Sequence, residues 1–478
     1  MLKALGRSFL GRTPAAYKLA LLSALVLNPV LYSLAGPFWA GWIIVVEFLG
    51  VLALSLACYP LAPGGLLAIE AVLMGLASPT GVYHEVSSNF PVLLLLMFMV
   101  AGIYFLRDLI ERGFLALVLG IRNRVLLALS FLLAGAVLSA FLDALTVMAV
   151  VITVAFSLHE SLKTRLAELT FEDREQFERW LSGLVMQAAI GTALGGVTTL
   201  VGEPQNLLIA KSGSWHFIDF FLHMAPVTMP ALAVGVVCCL LVERLGWFGY
   251  GVVLPDHARV ELEIQRRSSP RIDAAGRVKL LAQAAVAILL VLGLAFHVAE
   301  IGLIGLGVIV LAGAFTGARS EHDYAPAFLE ALPFAALLVV FFAIVAVIEA
   351  QHLFTPIAAA VLSIKGQLLA PVFYLVNGGL SAISDNVFVA SVFLHQAENA
   401  VASGHISRAV FQQLIVAINA GTNIPSIATP NGQAAFLFLL ASPLAPLLRL
   451  SYGRMMWMAL PYTVLLVAAG LVGVWFLI

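Results

Sequence analysis

Residues 138–146 read LSAFLDALT, and residues 380–388 read LSAISDNVF. Each stretch opens Leu-Ser-Ala and carries an aspartate, Asp143 or Asp385, four residues after its serine, Ser139 or Ser381. On a helix that spacing puts serine and aspartate on one face. The run 125–158 around the first stretch is apolar throughout, and Asp143 is its one charge. A carboxylate at the centre of a membrane helix costs about 2.5–3.5 kcal/mol on insertion scales, so contact with an ion or substrate is the default reading. Two such aspartates in matching frames, one in each half of the chain, predict an internal repeat. Secondary transporters are built this way, with the binding site between the repeats.

The chain has 478 residues, 62% hydrophobic and 11% charged, and a mean hydropathy of +1.04. A soluble fold cannot hide that much apolar surface, so the chain is expected to be a polytopic membrane protein. The apolar runs have helix length and no strand-like alternation, which predicts an all-α fold. The net charge of −1 gives no footing for nucleic acid. Cys58, Cys238 and Cys239 have no framework or zinc spacing. Lys3, Arg7, Arg12 and Lys18 precede or open the first apolar run, which reads as a retained helix rather than a cleaved leader.

Spans are expected at 17–34, 41–61, 65–77 and 91–106, followed by a basic amphipathic connector. The run 125–158 is too long for a simple crossing at about 1.5 Å per residue. It either crosses with a tilt or enters, breaks near Asp143 and returns to the same side, as a re-entrant hairpin does where protein surrounds its tip. A polar stretch at 159–179 reads as a surface linker. The segment 180–210 then contains GTALGGVTTLVGEPQNLLIA, where glycine, proline and polar residues break an apolar helix and free backbone groups to meet an ion.

The second half repeats this order: spans at 280–298, 301–315 and 333–348, a candidate hairpin at 355–397, and a broken segment containing NAGTNIPSIATPNGQAAF. Gly191-Thr192 matches Gly421-Thr422, and Glu203-Pro204-Gln205-Asn206 is set loosely against Thr429-Pro430-Asn431-Gly432. Five units follow. Residues 1–122 and 280–350 are scaffold helices. Residues 123–243 are a first transport half, with hairpin 123–158, broken helix 180–210 and spanning helix 216–245. Residues 244–279 are a cytoplasmic linker. Residues 355–478 are a second transport half, with hairpin 355–397, broken helix 410–441 and last helix 455–478. With the N-terminus in the cytoplasm and both hairpins re-entrant, every basic residue except Lys211, Lys365 and Arg408 falls on the inner side, as the positive-inside rule asks. The C-terminus is then periplasmic.

The two tips resemble those of the ion transporter superfamily, which includes the divalent anion/sodium symporters. The resemblance tightens over CYPLAPGGLLAIEAV, NFPVLLLLMFMVAGIYF, GGVTTLVGEPQNLLIAK, ISDNVFVASVF, NIPSIATPNGQAAFLFLL and RLSYGRMMWMALPYT, which together look like the bacterial NhaB-type sodium/proton antiporters. It runs over most of the chain and is weakest at 159–179 and in the central loop. It implies two inverted-topology repeats, a homodimer, and a scaffold domain against which a transport domain moves as an elevator. It also implies one sodium at each tip. The first would use Ser139, Asp143, Ala144 and Gly202. The second would lie near Asn386, with Ser381, Ser384 and Ala428, and Asp385 beside it. Carboxylate-transporting relatives carry Ser-Asn-Thr at the tips, where this chain has Asp143-Ala144-Leu145 and Asp385-Asn386-Val387. That departure removes donors for an anion and adds charge for a cation.

Each candidate also has a plainer role. Either aspartate can cap a local backbone amide. Glu203 divides between a site role and a cap. Asn206, Thr422, Asn423, Thr429 and Asn431 can satisfy freed backbone as readily as touch an ion. Glu47 and Glu70 are expected to pair within the scaffold, and Glu349 to sit at the membrane interface. His216, His297 and His395 are pH-sensor candidates, though interfacial positions suit them.

The reading is an electrogenic inner-membrane antiporter that exports Na+, or Li+, in exchange for H+, needs no cofactor and is not an enzyme. The electrogenic label and the outward direction of Na+ come from the resemblance. A carboxylate that binds either ion, never both, couples the two, and burial helps protons compete. Sodium-coupled symport of a small (di)carboxylate is the alternative. A passive channel would show uncoupled currents, and no HExxH, GxSxG or Cys/His pair supports an enzyme. Cysteines introduced beside Arg124 and His159 should react with impermeant thiol reagents from the cytoplasm alone, and those beside Thr355 and Gln396 from the periplasm alone. Labelling of the two flanks of either segment from opposite sides would replace that hairpin with a crossing.

Overall fold

The computed structural model describes residues 8–478 except 56, 167–170, 257, 261–272, 354–355, 357–363, 365 and 384–385, and except the side chains of 161–166, 171 and 330. Every regular element among the described residues is a helix, the form that satisfies backbone groups without water. Five helices there are long and apolar enough to cross a membrane: Ala15–Ala53, Phe217–Leu245, Ala274–Ala295, Ala331–Ala350 and Tyr452–Phe476. The pair Pro79–Ser88 and Phe90–Tyr104, bent by 61°, makes a sixth if it is one span.

The first two expected spans fall on one run of helix, Ala15–Ala53 (α1), interrupted at Gly36. Gly36 has a φ of 83°, which glycine adopts freely, and Pro37 follows it, so the chain turns without a loop. Then come Leu61–Leu73 (α2), Pro79–Ser88 (α3), Phe90–Tyr104 (α4) and Arg107–Gly120 (α5). Next are Arg124–Ser139 (α6), Ala144–Leu166 (α7), Phe171–Gly196 (α8), Pro204–Gly213 (α9) and Phe217–Leu245 (α10). The second half runs Ala274–Ala295 (α11), Ile301–Thr316 (α12), Glu321–Ala350 (α13), Leu369–Ser381 (α14), Asn386–Ala402 (α15), Arg408–Asn423 (α16), Ala434–Ala441 (α17), Leu444–Leu447 (α18) and Tyr452–Phe476 (α19).

The polar stretch 159–179 differs from its expectation as a linker. The ends of α7 and α8 take up most of it. Glu178 is buried there because Arg174 (3.0 Å) and Arg449 (3.3 Å) pair with it.

The helices pack in two groups. In one, α1 packs on α2, α13 on α2 and α3, and α12 on α4 and α11. In the other, α8 packs along α6, α16 along α14, and α19 against α10 and α14. The pairs α6/α8 and α14/α16 bring backbones into contact. A Cβ on Gly195 would stand 1.8 Å from the Ala136 carbonyl oxygen, and one on Gly191 2.1 Å from that of Leu132. In the second pair, a Cβ on Gly421 would stand 2.6 Å from the Tyr374 oxygen. Small residues at such spacing let membrane helices approach this closely.

Gly195→Ala therefore forces α6 and α8 apart. Overpacking of this kind costs about 1–3 kcal/mol. The variant should unfold at a lower temperature than wild type in detergent, while Gly453→Ala, which meets nothing within 4 Å, should not.

Candidate ion-binding site

The first cluster forms where the tip between α6 and α7 meets the break between α8 and α9. Asn123 starts α6, its Oδ1 accepting from the amides of Val125 and Leu126, and Ser139 ends it. Asp143 follows, 3% exposed. Its Oδ2 accepts from the amides of Leu145 (3.0 Å) and Thr146 (3.3 Å), so it caps α7. Among the described residues no hydrogen bond is recorded for Oδ1, and capping through one oxygen is compatible with an ion on the other. Ala144 is fully buried at the first position of α7.

The break is shaped by Gly196 and Gly202. The point where a Cβ on Gly196 would stand lies 3.2 Å from Ser139 Oγ, 3.2 Å from Glu203 Cγ and 3.3 Å from the Gly202 oxygen. Serine hydroxyl, backbone carbonyl and glutamate thus converge in one small space. Ser139 Oγ is buried without a hydrogen-bond partner among the described residues. A Cβ on Gly202 would strike the Gly196 oxygen at 2.4 Å and the Ser139 oxygen at 2.6 Å, so this position requires glycine. Thr199 ties the two segments together by donating to the Ala140 oxygen.

The second cluster repeats these contacts. Thr429 donates to the Ala382 oxygen as Thr199 does to that of Ala140. A Cβ on Gly432 would strike the Ser426 oxygen at 2.6 Å and the Ser381 oxygen at 2.7 Å. Gly432 is therefore the structural counterpart of Gly202, and Gln433 that of Glu203. Setting 203–206 against 429–432 is displaced by four residues: it aligned the two prolines, whereas the contacts align the residues preceding α9 and α17. Ala428 ends a short 3-10 turn, Pro425–Ala428, and is not the counterpart of Gly202. Ser381 Oγ lies 2.7 Å from the Thr422 oxygen and also contacts Asn386 Oδ1. Three oxygens share one hydroxyl hydrogen there. Ser384 and Asp385 lie outside the described residues.

Buried amides join the clusters. Gln205 Nε2 donates to Asn423 Oδ1 (2.8 Å), and Asn423 Nδ2 reaches Asn206 Oδ1 (3.3 Å) and the Asn419 carbonyl oxygen (2.8 Å). Asn206 Nδ2 donates to the oxygens of Gly196 (2.7 Å) and Thr199 (2.6 Å). Asn206 and Asn423 thus satisfy freed backbone. Thr422 Oγ1 bonds back to the Ile418 oxygen, 3.0 Å away, and its carbonyl faces the second cluster. Asn431 Nδ2 donates to the Ala53 oxygen at the end of α1 (2.6 Å), while its Oδ1 is buried without a hydrogen-bond partner among the described residues.

Sequence alone marks Gln205 as part of the break but not as a site candidate, and it does not single out Asn419 or Gln433. Asn419 lies one turn before Asn423 in an apolar helix, which was a legible signal. The remaining candidates lie elsewhere. Asn28 Nδ2 bridges Glu47 (2.8 Å) and Glu70 (2.9 Å) within the first packing group. His395 pairs with Glu349 at 2.6 Å, and the rings of His216 and His297 lie 4.2 Å apart with their planes tilted by 48°.

Asn423→Ala leaves buried Gln205 and Asn206 groups without partners, at about 1–3 kcal/mol. It should lower the unfolding temperature in detergent and slow turnover. Wild-type values of both would show that the amides do not bridge the clusters.

Comparison with known proteins bears on what such clusters serve. The family model described as Bacterial Na+/H+ antiporter B (NhaB) matches residues 1–478. A Na(+)/H(+) antiporter NhaB of Klebsiella pneumoniae subsp. pneumoniae is 55% identical over 99% of this chain and 95% of that protein. Proteins of the same name from Serratia proteamaculans (54%, over 99% of this chain and 94% of that protein) and Escherichia fergusonii (54%, 99% and 95%) are similar to the same extent. Among solved structures, the Alcanivorax borkumensis YdaH transporter is 16% identical, at a TM-score of 0.47, over 83% of this chain and 87% of that one.

Proposed function

The chain belongs to the NhaB family of bacterial Na+/H+ antiporters, and from that membership and the two oxygen clusters we propose how it exchanges its ions. It is a multi-pass membrane transporter rather than an enzyme, and its substrates are Na+ and H+. The observation that carries the reading is the gathering of oxygens at each tip. Ser139 Oγ, buried without a hydrogen-bond partner among the described residues, lies beside the Gly202 carbonyl and the Glu203 side chain, and the one hydroxyl hydrogen of Ser381 faces both Asn386 Oδ1 and the Thr422 carbonyl. Hard oxygens gathered in this way suit a small hard cation. We read one Na+ at each cluster, with Asp143 charging the first and Asp385 the second. Li+, harder still, takes the same oxygens.

Protonation of an aspartate and binding of Na+ exclude each other, so an empty carrier returns protonated. Electrogenic exchange then needs a titrating group beyond one per sodium, and Glu203 fills that role. The packing supports a division of labour: α1–α4 and α11–α13 form a scaffold, and α6–α10 with α14–α19 form a transport domain that moves as an elevator. The tips at 123–158 and 355–397 are re-entrant and open to opposite sides, the halves being inverted repeats. The N-terminus is cytoplasmic and the C-terminus periplasmic in the bacterial inner membrane, and the transporter is a homodimer.

Asp143→Asn tests the first cluster cleanly. Asparagine Oδ1 still accepts from Leu145 and Thr146, so the cap survives and the charge is lost. The variant should purify and unfold like wild type yet give no Na+-driven pH change in proteoliposomes. Asp143→Ala should in addition lose about 0.5–2 kcal/mol of stability with the cap. Wild-type exchange and Na+ affinity in Asp143→Asn would remove Asp143 from the ion path.

A further inference from the structure

Gln433 is wholly buried, and neither its Oε1 nor its Nε2 has a hydrogen-bond partner among the described residues. An amide buried without partners costs about 1–3 kcal/mol on protein mutational data. The neighbouring amides do not tolerate this: Asn206, Asn419 and Asn423 all donate. Gln433 is set apart by its position. It follows the cradle glycine Gly432 and precedes α17 in extended backbone, with φ −122° and ψ 115°. Glu203 follows Gly202 and precedes α9 with φ −143° and ψ 143°. Neither side chain caps the helix it precedes. In the first cluster Glu203 Cγ and Ser139 Oγ both lie 3.2 Å from the Cβ position of Gly196. The counterpart of Gly196 is Ser426, whose backbone oxygen meets Gly432 as the Gly196 oxygen meets Gly202.

We infer that Gln433 is a cation-facing side chain of the second cluster, its amide oxygen taking the place that Glu203 takes in the first, so that the two clusters differ by one charge. This rests on the reading of the clusters as the sites of the exchanged ions. An amide oxygen is a neutral hard ligand for Na+ and cannot carry a proton away. The second cluster, with Asp385 and Gln433, exchanges one charge for one. The first, with Asp143 and Glu203, has a second carboxylate to protonate. The inequality of the two sites thus lies at a Glu/Gln pair in equivalent backbone positions.

The test is Na+-driven proton exchange and reversal potential in proteoliposomes of the full-length chain. Gln433→Leu keeps bulk and loses the oxygen, and should raise the KM for Na+ about tenfold, the cost of about 1.4 kcal/mol of binding, with kcat changed far less. Gln433→Glu should keep Na+ affinity and move the reversal potential in the direction of more protons per sodium. Glu203→Gln should move it the opposite way, and the exchange of both residues should bring it back. A wild-type KM in Gln433→Leu, or an unmoved reversal potential in Gln433→Glu, overturns the inference. If Gln433→Leu does not yield monodisperse protein, Gln433→Glu decides alone. Asp143→Asn separates the two levels of failure. If that variant is dead while both Gln433 variants behave as wild type, the clusters stand and Gln433 is excluded. If Asp143→Asn itself transports normally, the reading of the clusters has failed first.

Discussion

Breaking a helix in an apolar interior leaves amides and carbonyls without partners, each at a cost of several kcal/mol in hydrocarbon. Among the described residues, buried breaks of this kind follow Gly196 and Asn423. The polar residues around the breaks are largely accounted for by that debt. Asn206 takes two carbonyls, of Gly196 and Thr199, and Thr199 and Thr429 each bind a carbonyl of the facing tip. What distinguishes a site from a repair is the remainder. Once the repairs are made, Ser139 Oγ and both polar atoms of Gln433 are still without partners among the described residues, as are Thr146 Oγ1, Gln205 Oε1 and Asn431 Oδ1.

The breaks act on the tips because the helices leading to them touch backbone to backbone. In both halves an equivalent glycine makes the approach, Gly191 on α8 against the Leu132 oxygen and Gly421 on α16 against that of Tyr374. One turn further on, the small residue changes sides: Gly195 on α8 yields to Ala136 on α6, whereas Gly378 on α14 yields to the Pro425 ring, a Cβ there standing 2.5 Å from it. A cation site made partly of backbone oxygens needs its groups held to within about 0.5 Å, which packed helices supply better than loops.

The sequence made part of this legible. An aspartate within 125–158 and glycines within 180–210 are costly in a membrane, so their presence pointed to the site. Helix class and the pairing of each tip with its break followed from the same economy of polar groups. The register between the halves did not, because Pro204 and Pro430 attract alignment although Pro204 opens a helix and Pro430 lies four residues before one. Glu203 and Gln433 were separated by that shift, and Gln433 passed as an ordinary polar residue. The bond from Asn431 Nδ2 to Ala53 joins residues far apart in sequence, and no local pattern encodes it. The roles of Gln205 and Asn419 are not encoded locally for the same reason: each bonds a partner in the opposite half.

The halves are not independent sites placed side by side. The helix that resumes after the first break, α9, packs on α15, which leaves the second tip, and α17 packs on α7, which leaves the first. Each tip is therefore held by its own break at one end and by the other half's resumed helix along its exit. The amide chain from Gln205 through Asn423 to Asn206 runs across this crossing. A shift of one break relative to its tip must move the exit helix of the other or break a buried hydrogen bond. Neither is cheap where water cannot substitute. On the proposed reading, two ions held in such a frame would move with one packed unit. That is the mechanical condition the proposed joint transport of both clusters requires, and it is what would let the inferred difference of one charge between them count in every cycle.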